Sequence, residues 1–109
     1  MENEEIVFSI ILHAGNARGL AYDALKSAQN GDFEEAESYL KKAEDEVGQA
    51  HKIQTSIMQK EAKGEEVKLS VLFVHSQDHL MTTISEKGLI ENMIEMHKRI
   101  HALEKEKEA

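Results

Sequence analysis

Asn30-Gly31-Asp32-Phe33-Glu34-Glu35 lies between two long helix-forming runs, and its chemistry is that of a junction. A glycine just past a helical run can take the left-handed conformation that ends a helix. Asp32 can accept from the first unpaired amides of a new helix, and Glu35 can answer it as in a capping box. Downstream, Phe33, Ala36, Leu40, Ala43, Val47, Ala50, Gln54 and Ile57 alternate steps of three and four, the spacing of a bundle seam in which only Gln54 is polar. Upstream, Val7, Ile10, Ala14, Ala17, Ala21, Ala24 and Ala28 form one stripe, and Phe8, Leu12, Gly15, Tyr22 and Leu25 form a second beside it.

A second break follows at Gly64, with residues 64–70 as a connecting loop and Ser70 as the cap of a third helix. That segment carries Leu89, Met93, Met96, Ile100 and Leu103 at bundle spacing. Joining them back to Phe73, Leu80 and Ile84 requires a step of five, which predicts a kink near residues 85–88. Proline is absent and glycine numbers six, so no strand pattern competes. The expectation is an all-α chain with one domain over residues 1–109, its helices at about 4–30, 32–63 and 70–104. Short connections make it an antiparallel three-helix bundle. The wide apolar arc of the first helix and the run Val71-Leu72-Phe73-Val74 exceed what one small bundle needs, so part of that surface is expected to meet another subunit. Residues 104–108 alternate in charge and read as a solvated helix end.

The 109 residues include 13 Lys+Arg and 21 Asp+Glu, a formal net charge of −8 with histidine neutral. Arg18 and Arg99 are the only arginines, and no basic stripe exists for a phosphate backbone, which argues against nucleic acid as a partner. Without cysteine there is no disulfide, thiolate zinc site or cysteine nucleophile. The acidic opening and short apolar run resemble neither a secretory signal nor a membrane span, so a cytoplasmic protein is expected. No glycine-rich phosphate loop or Gly-x-Ser-x-Gly motif is present.

The polar interest collects in His75-Ser76-Gln77-Asp78-His79, which interrupts an apolar helix start and places His75, Asp78 and His79 at i, i+3 and i+4. Left buried and unpaired, such groups would cost about 1–3 kcal/mol each. Three readings stand side by side: exposed helix residues without a role, a metal site using His75 and His79, or a nucleophilic imidazole able to accept a phosphoryl group. His13, His51, His97 and His101 are scattered and read as surface or core-edge residues.

Residues 71–82, Val71-Leu72-Phe73-Val74-His75-Ser76-Gln77-Asp78-His79-Leu80-Met81-Thr82, resemble the signature of the enzyme IIA component of the lactose and cellobiose/chitobiose type of bacterial sugar phosphotransferase system. Three other blocks are similar to that family in order and spacing: Ile10 to Arg18, Lys26 to Glu37, and Ala50 to Thr55 followed by Glu61 to Glu65. The resemblance spans roughly residues 5–100.

It implies a homotrimer of three-helix protomers. His75 would accept a phosphoryl group from the histidine phosphocarrier protein and pass it to a cysteine of enzyme IIB, which phosphorylates an imported disaccharide. The membrane would enter only through the enzyme IIC transporter. Asp78 of each subunit would gather near the threefold axis around a divalent cation, for which three hard carboxylates suit Mg2+. Gln77 and His79 would support the site. The stretch Gly19 to Leu25 looks closer to cellobiose and chitobiose members than to lactose members.

Ser76 departs from the family's usual Ala or Gly and adds a hydroxyl that could reach a phosphoryl oxygen. Gly19 replaces a common Ser, and His97 a frequent aromatic. The acidic balance and the missing nucleotide loop suit a protein that receives phosphate from a basic protein. The rival readings are a helical oligomerisation scaffold and a His/Asp metal-binding module.

Overall fold

The computed structural model describes residues 3–108, and all three elements among them are α-helices: α1 (Asn3–Gln29), α2 (Phe33–Ala62) and α3 (Val71–Glu108). Both turns close in the same way. Gly31, at φ 82°, donates to the Ala28 carbonyl at 3.0 Å while Asp32 N–H reaches Ser27 O at 2.9 Å. Gly64, at φ 86°, donates to Glu61 O at 3.0 Å, and Glu65 N–H reaches Lys60 O at 3.0 Å. Each pair satisfies carbonyls that the helix end would otherwise leave open. Asp32 caps α2 by accepting from Glu35 N–H at 3.0 Å. The reciprocal half of the expected capping box is displaced, because Asp32 N–H already closes α1. Ser70 caps α3, its Oγ accepting from Phe73 N–H at 3.1 Å.

The whole stripe Val7, Ile10, Ala14, Ala17, Ala21, Ala24 and Ala28 is buried. With alanine at five of these seven positions, α1 can lie close to two neighbours at once, and it packs extensively on both α2 and α3. α2 and α3 meet each other far less. Two apolar clusters result. One joins Ile10 and Ala14 to Ala50, Ile57 and Leu80; the other joins Ala21, Ala24 and Ala28 to Ala36, Leu40, Ile90 and Ile94. The seam expected on α2 is buried or half-buried throughout.

α3 differs from expectation. It is one continuous α-helix across residues 85–88, and its buried positions are Ser76, Leu80, Thr83, Lys87, Ile90 and Ile94. They step by four and three without interruption, and half-buried His97 and His101 extend the series. The step of five arose from joining two different faces. Leu89, Met96 and Leu103 are 59%, 60% and 63% exposed, so the stripe read as seam looks outward. Residues 104–108 are exposed, as expected, and remain helical. No described helix is long and apolar enough to cross a membrane.

Lys87 is the one charged residue in the buried seam, 6% exposed. Its Nζ donates to Glu44 Oε2 of α2 at 2.5 Å and to Glu91 Oε1 at 3.4 Å. Burial alone would lower its pKa, but the bonds and charges of Glu44 and Glu91 outweigh it and raise the pKa above the usual lysine value. The aliphatic stem fills the seam while the ammonium reaches the thin α2–α3 contact. Lys87→Ala is expected to cost about 2–4 kcal/mol through a cavity and lost pairing. Lys87→Met, which refills the volume, is expected to cost under about 1.5 kcal/mol. Urea unfolding at matched protein concentration reads both.

Candidate functional site

Capping by Ser70 starts α3 so that Ser76, Leu80 and Thr83 turn inward. His75 and Asp78 consequently stand exposed, and Gln77 and His79 half-buried. The polar run splits its duties accordingly. Ser76 is fully buried, and its Oγ donates to the Phe73 carbonyl of its own helix at 2.6 Å. Its hydroxyl therefore serves α3 and is not directed at a phosphoryl group. Gln77 accepts from the Gln54 amide of α2, so the single polar residue of the α2 seam ties the two least-engaged helices together. The Gln77 Nε2 group is buried without a hydrogen-bond partner.

The rings of His75 and His79 lie parallel, 8° between planes, with centroids 6.1 Å apart. His79 is held from α1. Arg18 Nη1 donates to His79 Nδ1 at 3.3 Å, and Nη2 donates to Thr82 Oγ1 at 2.8 Å. Thr82 Oγ1 in turn donates to the carbonyls of Asp78 at 2.8 Å and His79 at 3.2 Å. Arg18 Nε and Glu86 Oε2 lie 3.0 Å apart as an ion pair, both buried and without the alignment of a hydrogen bond. Burial, then the nearby Arg18 guanidinium and His75, hold the His79 pKa below the usual imidazole value, with Glu86 opposing in part.

Arg18, Glu86, Thr82 and Gln54 thus join His75, Gln77 and His79 at one site. Arg18 was legible only as part of the Ile10–Arg18 block, since nothing local links it to a histidine 61 residues away. Of the other histidines, His13 and His101 take structural places, and His51 is exposed. His13 Nδ1 meets Glu46 at 2.5 Å. His101 packs edge-on against Phe33 at 5.4 Å and beside Gly31. Among the described residues no three ligating side chains of one chain converge as a metal centre.

Residues 5–98 match the family described as PTS system, Lactose/Cellobiose specific IIA subunit. This chain belongs to that family. It is 43% identical over 99 residues to the lichenan-specific phosphotransferase enzyme IIA component of Bacillus subtilis (strain 168), covering 91% of this chain and 90% of the relative. Its fold is similar to the crystal structure of the cellobiose-specific enzyme IIA from Bacillus anthracis, with TM-score 0.89, 42% identity and 94% of each chain covered. It is also similar to the chitobiose IIA chain solved in complex with HPr from Escherichia coli, with TM-score 0.82, 38% identity, and 93% of this chain and 98% of that one covered. The chain is a IIA component of the sugar phosphotransferase system, and so a phosphotransferase component that works through phosphohistidine.

As a IIA subunit it carries its polar run on a helix that must lie close to α1, and Ser76 sits at that contact. Ser76→Ala removes one intrahelical bond and is expected to cost at most about 1 kcal/mol. Ser76→Leu overpacks the contact and is expected to cost about 1–3 kcal/mol. Thermal unfolding of the two variants distinguishes them.

Proposed function

We propose that His75 is the phosphoryl-accepting residue of this IIA component. The observation that carries the reading is an exposed imidazole on α3, parallel to a second, half-buried imidazole fixed from α1, in a chain of this family. A ring nitrogen of His75 attacks phosphorus on the phosphohistidine of the histidine phosphocarrier protein. One P–N bond forms as the donor's P–N bond breaks, and the donor imidazole keeps the electron pair. In the second step the thiolate of enzyme IIB attacks, a P–S bond forms, and His75 leaves with its electron pair. An exposed acceptor suits a residue that two proteins must reach in turn, and the HPr complex of the Escherichia coli relative supports the first of them as partner. Gln77 and His79 support the phosphoryl group as polar neighbours, and enzyme IIC supplies the membrane step.

The protein works in the cytoplasm, and its sugar is a disaccharide of the cellobiose/chitobiose kind. The stretch Gly19 to Leu25 and the cellobiose-specific relative support that choice. The assembly is a homotrimer. Its support is the exposed apolar face of Phe8, Leu12, Met81, Leu89, Met96 and Leu103, more than a small monomer leaves in water. Exposed Asp78 lies on α3, and the described residues of one chain offer no converging ligand set, so a divalent cation there requires carboxylates from other copies. Asp78 would hold Mg2+, and the ion would neutralise carboxylates that otherwise repel.

Intact mass after incubation with phosphoenolpyruvate, enzyme I and the phosphocarrier is expected to show one acid-labile phosphoryl group per chain, absent in folded His75→Ala. Acceptance by His75→Ala would refute the assignment. For the cation, chelation is expected to lower the sedimenting mass of the wild type and leave Asp78→Asn unaffected. Equal response of both proteins would remove Asp78 as ligand.

A further inference from the structure

Arg18 meets three side chains of the site, His79, Thr82 and Glu86, and has no role in the phosphoryl transfer described above. Its guanidinium offers only donors. Because Nη1 points at His79 Nδ1, that nitrogen is the acceptor, and the ring proton resides on Nε2. The same guanidinium is itself anchored twice. Nη2 is bound to Thr82 Oγ1, whose hydroxyl holds the carbonyls of residues 78 and 79, and Nε sits against the Glu86 carboxylate. A planar fork tied at three points cannot rotate without breaking all three contacts.

On the opposite edge of the ring, Nε2 faces Gly15 of α1. A Cβ at Gly15 would stand 3.7 Å from that nitrogen, an ordinary contact distance, and glycine puts no side chain there. The parallel His75 ring is its neighbour one helical turn away.

We propose that Arg18 is the positioning residue of the phosphoryl site: it holds His79 with its proton on Nε2, so that His79 presents a neutral N–H donor to the phosphoryl group on His75. This rests on His75 as acceptor. A donor fixed before the group arrives costs no reorganisation during transfer, which is where a preoriented hydrogen bond acts on rate. Glu86 orients Arg18 as Arg18 orients His79.

Nitrogen-15 spectra of the ring-labelled full-length protein test the placement directly. In the wild type, His79 is expected to show an unprotonated Nδ1 and a protonated Nε2. In Arg18→Met the Nδ1-protonated form is expected to gain population, and phosphoryl acceptance to slow about tenfold, the lower end for loss of a partner that orients a working imidazole. Arg18→Lys keeps the charge without the fork and is expected to resemble Arg18→Met. Circular dichroism confirms that the variants are folded.

A wild-type ring protonated on Nδ1 would overturn the proposal without recourse to any variant. So would an Arg18→Met protein with unchanged tautomer and rate, or full rescue by Arg18→Lys. Failure of the His75 assignment is read separately, from phosphorylation of His75→Ala, and leaves the ring measurement to stand or fall alone.

Discussion

The close approach that the alanines of α1 permit is the constraint on which the other features depend. Ala14, Ala17, Ala21, Ala24 and Ala28 leave so little side chain between helix axes that both neighbours can pack on one central helix. On α3 the buried positions mix Leu80, Ile90 and Ile94 with Ser76, Thr83 and Lys87. The same proximity lets Arg18, one residue beyond Ala17, cross to His79, Thr82 and Glu86. A bulkier stripe would hold α3 away and dissolve the site.

The inner face of α3 is therefore mixed, with Ser76, Thr83 and Lys87 set among Leu80, Ile90 and Ile94. Its inner face carries hydroxyls and an ammonium that find partners along their own helix or on α2, as Ser76 does with Phe73 and Lys87 with Glu91 and Glu44. Thr83 Oγ1 is the exception, buried with no partner. Its outer face carries leucine, methionine and isoleucine. Such an arrangement is coherent for a helix that meets its own bundle on one side and is proposed to meet other copies on the other.

The ends of the helices were legible because their chemistry is local. Gly31, Asp32, Gly64 and Ser70 each act within a few residues, and the stripes of α1 and α2 follow from apolar spacing alone. The facing of α3 was not legible by that rule. Ranking residues by apolarity selects Leu89, Met93, Met96, Ile100 and Leu103 as interior, whereas packing against an alanine stripe selects the opposite face. The step of five between Ile84 and Leu89 was the visible sign of two stripes on one continuous helix. At the site, His75 and its neighbours stood out as a polar run and Gln54 as the one polar residue of its seam, but Arg18 and Glu86 act across helices and carry no local mark.

The exposed imidazole of His75, and not its constrained neighbour His79, is proposed to carry the phosphoryl group. Long-range proton–nitrogen correlation of the enzymatically phosphorylated protein, resolving all six histidine rings, tests it most directly. A phosphoramidate nitrogen is expected on His75 alone, with His79 still protonated at Nε2. A phosphoramidate on His79 or any other ring, with His75 unmodified, would contradict it.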